Sequence, residues 1–251
     1  MFEGGRTVRI VFSIARVIVG VLIIAAIVAQ LIQTITFEQA QGADLGFTVL
    51  NFFSFFTIDS NTASVVILLV GAVLLQVQKG KPDPFLYNTV RSSVVTYMIT
   101  TGLVYNLLLR NIPLPQGLTV PWSNEILHVV APIYLLLDWL FAPGRMPLNW
   151  KKLWVIIAFP IVWVGYTLIR GPLAINSLTD LPWYPYPFLN PATSANGYLS
   201  VAFYVILIAL VIVSIGAGVI WVSRRRLHHE NRMNRAQASA VLTPSSAKAS
   251  S

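Results

Sequence analysis

The chain has 251 residues, 56% of them hydrophobic and only 10% charged, with a mean hydropathy of +0.71. A soluble domain carries about a quarter charged residues, so this composition excludes a soluble globular enzyme and points to an integral membrane protein. The net charge of +8 does not indicate nucleic acid, because the cations track membrane topology, and the absence of cysteine excludes disulfides, thiol catalysis and thiolate metal sites.

Six apolar runs, near 10–34, 52–78, 89–110, 122–142, 153–170 and 198–223, approach or exceed the roughly 20 helical residues that cross a bilayer. None alternates with period two, so the predicted fold is an all-α integral membrane protein of six transmembrane helices. Residues 1–226 form the transmembrane domain, and 227–251 are expected to be a disordered cytoplasmic tail. The first run follows Arg6 and Arg9 but is too long for a signal-peptide core, so it reads as a retained helix. With the N-terminus in the cytoplasm, all of the 17 Lys and Arg except Arg110 and Arg170 fall on the cytoplasmic side, Arg16 and Arg91 included. Six spans then return the C-terminus to the same side, in the cell membrane.

In chain order, span one is plain until Gln30, Gln33 and Thr34, which share a face and suit hydrogen bonds to neighbouring helices. The outer loop with Glu38 and Asp44 leads into Asn51-Phe52-Phe53-Ser54-Phe55-Phe56-Thr57-Ile58-Asp59-Ser60-Asn61, an aromatic cluster carrying polar groups into a hydrophobic span. Span two ends at the turn Lys79–Pro84. Span three starts with Arg91 at the inner interface and ends with Tyr105, Asn106 and Arg110 at the outer one, before a Pro-rich loop over Asn111–Pro121. Span four holds His128 near its outer end and Asp138 near its inner end, where a structural ion pair with Arg91 or Arg145 is expected. After span five come Arg170 and Pro182-Trp183-Tyr184-Pro185-Tyr186-Pro187-Phe188, either a cap over the outer face or an interfacial anchor. Span six carries Gly216 and Gly218 and stops at Arg224-Arg225-Arg226; His228 and His229 beyond it read as solvated. No internal repeat is visible, which argues against an inverted-repeat transporter.

As a helix, span two places Thr57, Ser60, Asn61 and Ser64 on one polar stripe, with Asp59 to the side. Thr57 lies six residues beyond Asn51, and His128 six beyond Trp122. Both are then about 9 Å inside the outer ends of their helices, so a hydroxyl and an imidazole can meet. A hydroxyl beside an imidazole is the minimum for nucleophilic acyl transfer. Glu125 or Asn124 is placed to fix the imidazole tautomer, and Asn61, Ser60 or Tyr105 to donate to an oxyanion. The same residues also have ordinary structural uses, since a membrane threonine often bonds back to the preceding turn and a lone histidine often bridges helices. One histidine among the spans excludes a two-histidine haem site, and metal hydrolysis lacks ligands, so no cofactor and no metal are expected.

The stretch 51–61, Leu127-His128-Val129-Val130-Ala131-Pro132, Asp138-Trp139, Trp163-Val164-Gly165-Tyr166, Arg170-Gly171 and Tyr184-Pro185-Tyr186-Pro187-Phe188 resemble the androgen-induced-gene (FAR-17a-like) family of multispanning membrane proteins, especially its small bacterial branch. The animal members are threonine hydrolases of fatty acid esters of hydroxy fatty acids. The resemblance implies Thr57 as nucleophile and His128 as base; Tyr166 and Asp59 are further candidate supporting or substrate-binding residues, Asp59 and Asn61 departing from the animal pattern. The expected function is hydrolysis of a membrane lipid or other long-chain ester; the alternative is a transporter or lipid-binding protein with Asp59, His128 and Asp138 as a polar pathway.

Overall fold

The computed structural model describes residues 5–79, 81–112, 118–176 and 178–242, with 226–242 described by backbone alone. Helices α1 (Arg6–Ala40), α2 (Leu45–Phe52), α3 (Phe56–Val77) and α4 (Phe85–Val104) come first. They are followed by α5 (Pro121–Glu125), α6 (Ala131–Phe141), α7 (Lys152–Arg170) and α8 (Tyr198–Leu242). A π-helical turn, Tyr105–Leu109, extends α4, and another, Ile126–Val130, joins α5 and α6 into one rod. The chain is therefore nearly all-α, and six of its rods are long and apolar enough to cross a membrane. The one departure among the described residues is a two-stranded ribbon, β1 (Ile175–Asn176) antiparallel to β2 (Leu181–Pro182).

Helix α4 lies at the centre, packed against α3, α6, α7 and α8, while α1 runs along α3. Large apolar residues cover the outward faces, among them Ile14 and Val21 on α1, Ile161 and Ile169 on α7, and Phe203 and Ile206 on α8. An outer surface of that kind suits lipid, where burying alkyl side chains brings no advantage.

Two prolines shape the helices that carry the site. Pro132 has no N–H for the carbonyl of His128 four residues before it. The rod widens there into its π turn, and Asn106 Nδ2 donates to the orphan carbonyl at 3.4 Å. Gly102 makes the approach possible, since a Cβ on it would lie 2.9 Å from Pro132 and 3.2 Å from that same carbonyl. Pro160 likewise frees the Ile156 carbonyl in α7, which accepts from Tyr97 Oη at 2.7 Å.

At the end holding the loops 78–84 and 142–151, four charged side chains are buried together. Arg16 grips both carboxylate oxygens of Asp138 at 2.9 and 3.1 Å, and its Nη1 donates to the Gly71 carbonyl at 2.8 Å. Arg91 donates to Asp138 at 2.7 Å and to Asp83 at 3.1 Å. Gly71 is needed here, as a Cβ would lie 2.6 Å from Arg16 Nη1 and 2.0 Å from Tyr87 Oη.

Several expectations are corrected. The expected Asp138–Arg91 ion pair is present, but Arg16, counted only among the cytoplasmic-side cations, is a second partner, fully buried because Asp138 needs compensation at that depth. Arg145, the other expected partner of Asp138, donates to the Trp139 carbonyl. The predicted helix over 52–78 is broken at Phe53–Phe55. Helix α8 runs on to Leu242, where Ala, Arg and Gln favour propagation of a helix already nucleated. Gly80 in the predicted turn, 113–117 of the Pro-rich loop and 243–251 of the tail lie outside the described residues.

Candidate active site

The break between α2 and α3 decides where the nucleophile stands. Asp44 caps α2 by accepting from the Phe47 amide at 2.7 Å, and α2 ends at Phe52. The C-terminal end of α7 then holds the break open. Tyr166 Oη lies 3.0 Å from Ser54 Oγ, Trp163 Nε1 donates to the Ser54 carbonyl at 3.2 Å, and Arg170 donates to Asn51 Oδ1 at 2.7 Å. Helix α3 restarts at Phe56, so Thr57 lies in its first turn rather than six residues into a helix begun at Asn51. The positive end of the α3 dipole therefore falls on Thr57.

Thr57 Oγ1 is 3.3 Å from His128 Nε2. The other ring nitrogen, Nδ1, is 2.9 Å from the Asn124 carbonyl. A carbonyl only accepts, so Nδ1 carries the proton and Nε2 is left as the acceptor for the threonine hydroxyl. The tautomer is thus set by the backbone of Asn124. The Asn124 side chain donates to Tyr105 Oη, and the Tyr105 ring stacks on the imidazole with centroids 3.9 Å apart. Glu125, the other candidate for this role, pairs instead with Arg110 at 2.7 Å on the exposed surface.

A third residue reaches Thr57 from the segment between α7 and α8. After the ribbon, Trp183 N bonds back to the Ala174 carbonyl at 2.8 Å, and the chain turns inward over the bundle. Gly171 clears the way, since a Cβ there would lie 2.1 Å from the Tyr184 ring. Tyr186 Oη then lies 3.2 Å from both the amide nitrogen and Oγ1 of Thr57. Its ring is stacked on Phe188 at 5.2 Å and meets Phe55 edge-on at 5.6 Å. The segment is therefore a cap, and not simply an interfacial anchor. Loss of hydration pushes the Tyr186 phenol up to about 12, so it stays protonated through the physiological range.

The other polar residues on the stripe are structural neighbours. Asn61 donates both Nδ2 hydrogens, to the carbonyls of Thr57 (2.9 Å) and Leu127 (3.1 Å), tying α3 to the His128 turn. Ser60 bridges the Thr57 carbonyl and Thr101 Oγ1, each at 3.1 Å. Neither side chain has a donor left for an oxyanion. Asp59 is half-buried and, among the described residues, takes part in no hydrogen bond or ion pair; its place in the first turn of α3 gives it the helix dipole as compensation. Tyr166 is spent on Ser54, and Asp138 and Arg91 belong to the charge cluster.

A cavity of about 210 Å³ opens below Thr57, between α4, α7 and α8, roofed by Tyr186 and Phe188. No charged residue lines it, and it extends toward Ile157 and Ile212. Ile161, which lines it, is also 60% exposed on the outer apolar face, so the cavity borders the surface that lipid would cover. Thr57 is part of its wall, while His128 stands behind the threonine, outside the lining. Among the described residues no group of three or more His, Asp and Glu is placed to hold a metal ion.

No protein-family model, curated protein or solved structure matches this chain.

The depth estimate paired Thr57 with His128 but rested on a continuous span two. What carries Thr57 to the imidazole is the helix break and the π turn. Sequence does not single out Tyr186, since Trp, Tyr and Pro before a span read as an interfacial belt; its framing by Pro185 and Pro187 is a local hint.

Proposed function

We propose that this chain is a membrane-embedded hydrolase of long-chain lipid esters, with Thr57 as nucleophile and His128 as general base. The observation that carries this reading is the 3.3 Å approach of Thr57 Oγ1 to the unprotonated Nε2 of an imidazole whose tautomer is fixed from behind. The uncharged cavity beside Thr57 supports an alkyl chain as ligand, and the absence of a cation in its wall disfavours a carboxylate or phosphate inside it.

In this mechanism Thr57 Oγ1 bonds to the acyl carbon while its proton passes to His128 Nε2 and the carbonyl π pair moves to oxygen. Collapse of that oxyanion breaks the ester bond, and the departing alkoxide takes the proton from Nε2 and leaves as the alcohol. Water then attacks the acyl-threonine, giving its proton to Nε2. Thr57 departs with that proton, and the acid is released.

Membership in the androgen-induced-gene family, both termini in the cytoplasm and a site in the outer half of the cell membrane are part of the same proposal. The topology is supported by Lys79, Lys81, Lys151, Lys152 and Arg224 lying near the loops at one end, against Arg110 and Arg170 near the other. The transport alternative loses support from Asp138. It is clamped between two arginines, ten residues or about 15 Å of helix from His128, and offers no continuous polar path.

The test is labelling of the purified protein with a fluorophosphonate, together with hydrolysis of a long-chain fluorogenic ester in detergent micelles. Thr57→Ala and His128→Ala should each abolish labelling and lower turnover by at least about 10²-fold. Labelling that survives Thr57→Ala would refute the nucleophile.

A further inference from the structure

We infer that Tyr186 is a catalytic residue: its hydroxyl, delivered by the cap, donates the hydrogen bond that holds the oxyanion formed when Thr57 attacks an ester. This rests on the hydrolase reading and adds to it the group that stabilises negative charge.

The hydrogen-bond directions around Thr57 leave a single consistent arrangement. His128 Nε2 has no proton, so the Thr57 hydroxyl donates to it. The Thr57 amide can only donate, so it donates to Tyr186 Oη at 3.2 Å. Tyr186 must then point its own hydrogen at Thr57 Oγ1, also at 3.2 Å. The resting site is a closed loop in which every donor is used: amide to phenol, phenol to threonine oxygen, threonine hydroxyl to imidazole.

Attack on an ester opens that loop at one place. The lone pair of Oγ1 not engaged by Tyr186 forms the new bond to the acyl carbon, and Oγ1 becomes an ester-type oxygen, a poorer acceptor than the hydroxyl it was. The phenolic hydrogen is left with a weaker acceptor just as a negative oxygen, a far stronger one, appears on that carbon, two bonds from Oγ1. A small rotation about the phenol C–O bond moves the donor from Oγ1 to the oxyanion. No proton is transferred: Tyr186 keeps its hydrogen in both states, and the negative charge is held by hydrogen bonding alone. The Thr57 amide goes on donating to the phenol oxygen, which strengthens the phenol as a donor. The first turn of α3 contributes its dipole to the same charge.

Of the donors suggested by sequence, Asn61 and Ser60 do not compete for this role. Both Nδ2 hydrogens of Asn61 and the Ser60 hydroxyl are committed to α3, α4 and the His128 turn. Tyr186 is also rigid. Phe188 lies parallel to its ring within 5°, and Phe55 and Trp163 pack beside it, so the hydroxyl is preorganised. The fold does not supply this donor from a span. It comes from the cap, so cap and bundle must be assembled together for the site to be complete.

Tyr186→Phe removes the hydroxyl and keeps the ring and its stacking. The full-length protein in micelles should lose about 10²–10³-fold in kcat on a long-chain ester with KM changed little, the loss typical of one oxyanion donor. A merely structural role would not discriminate between ground state and transition state. A long-chain trifluoromethyl ketone, which forms a tetrahedral adduct at the nucleophile, should therefore bind Tyr186→Phe more weakly by about the same factor as kcat/KM falls, while the corresponding alkyl ether binds as tightly as before. The proposal is overturned if kcat stays within about tenfold of the parent protein, or if ketone and ether affinities fall together. Activity that persists in Thr57→Ala would instead overturn the hydrolase reading itself. Loss in Thr57→Ala with retention in Tyr186→Phe would overturn only the role of Tyr186.

Discussion

Replacing Asp138 by asparagine keeps the side-chain volume and the helix but removes the one negative charge that two arginines share. Arg16 and Arg91 are 0% exposed and Asp138 is 1% exposed, so water cannot take over. Arg91 would retain Asp83 at 3.1 Å and the Asp138 carbonyl at 2.8 Å. Arg16 would retain the Gly71 carbonyl at 2.8 Å and at most one neutral amide oxygen at position 138, leaving its charge almost uncompensated. Breaking a buried pair by removing one partner costs about 3–5 kcal/mol. In a chain of this size each kcal/mol lowers the melting midpoint by about 2–4 °C, so Asp138→Asn should melt about 6–20 °C lower. The assay is a tryptophan-fluorescence melt of purified protein in a mild detergent. The double variant Arg16→Met/Asp138→Asn should melt above Asp138→Asn alone, because the stranded charge is gone. A melt of Asp138→Asn within about 2 °C of the parent, or a double variant lower than Asp138→Asn, would refute this account of the cluster. Loss of function without loss of stability would revive the transport reading.

Other outcomes follow from the same geometry. Gly144 has φ +97°, and a Cβ on it would lie 2.5 Å from Asp83 Oδ1, so Gly144→Ala should cost about 1–3 kcal/mol in the same melt and loosen Asp83 from Arg91. The cavity predicts chain-length selectivity: each buried CH₂ is worth about 0.8 kcal/mol, close to fourfold in kcat/KM, until the slot is full. Ile212→Trp, which fills the slot at the end away from Thr57, should move the preferred ester to shorter acyl chains, and an unchanged profile would place the chain elsewhere. The Arg110–Glu125 pair is exposed, so Glu125→Gln should change stability and kcat/KM by at most about 1 kcal/mol, roughly fivefold; a larger loss in rate would put Glu125 back into the histidine relay.

How much of this was legible in the sequence depends on the range of the interaction. Hydropathy along one chain segment is a local quantity, and it located six long helices to within a few residues at most ends. Pro132 and Pro160 are local too, and each marks a carbonyl that must find another donor, although which residue answers is not local. Helical phase put Thr57, Ser60, Asn61 and Ser64 on one buried face, as the structure has them. Phase did not reveal that span two is interrupted. The turn at Phe53–Phe55 is held by Trp163, Tyr166 and Arg170, more than a hundred residues away, and no propensity in 51–61 demands it.

The charges divide in the same way. Counting cations by side gives Arg16 a place on the cytoplasmic side but no partner; only the packing of α1 against α3 and α6 reveals its ion pair with Asp138. By itself the sequence determined a membrane-class helical chain, a polar stripe and a single histidine among its spans, because these depend on composition and on the 3.6-residue repeat. The tertiary structure alone decided that Thr57 stands at a helix N-terminus, that the Asn124 backbone sets the imidazole tautomer, and that a cap tyrosine completes the loop of hydrogen bonds. Those outcomes depend on where four separate segments meet, and a hydrogen bond is made or lost within a few tenths of an ångström.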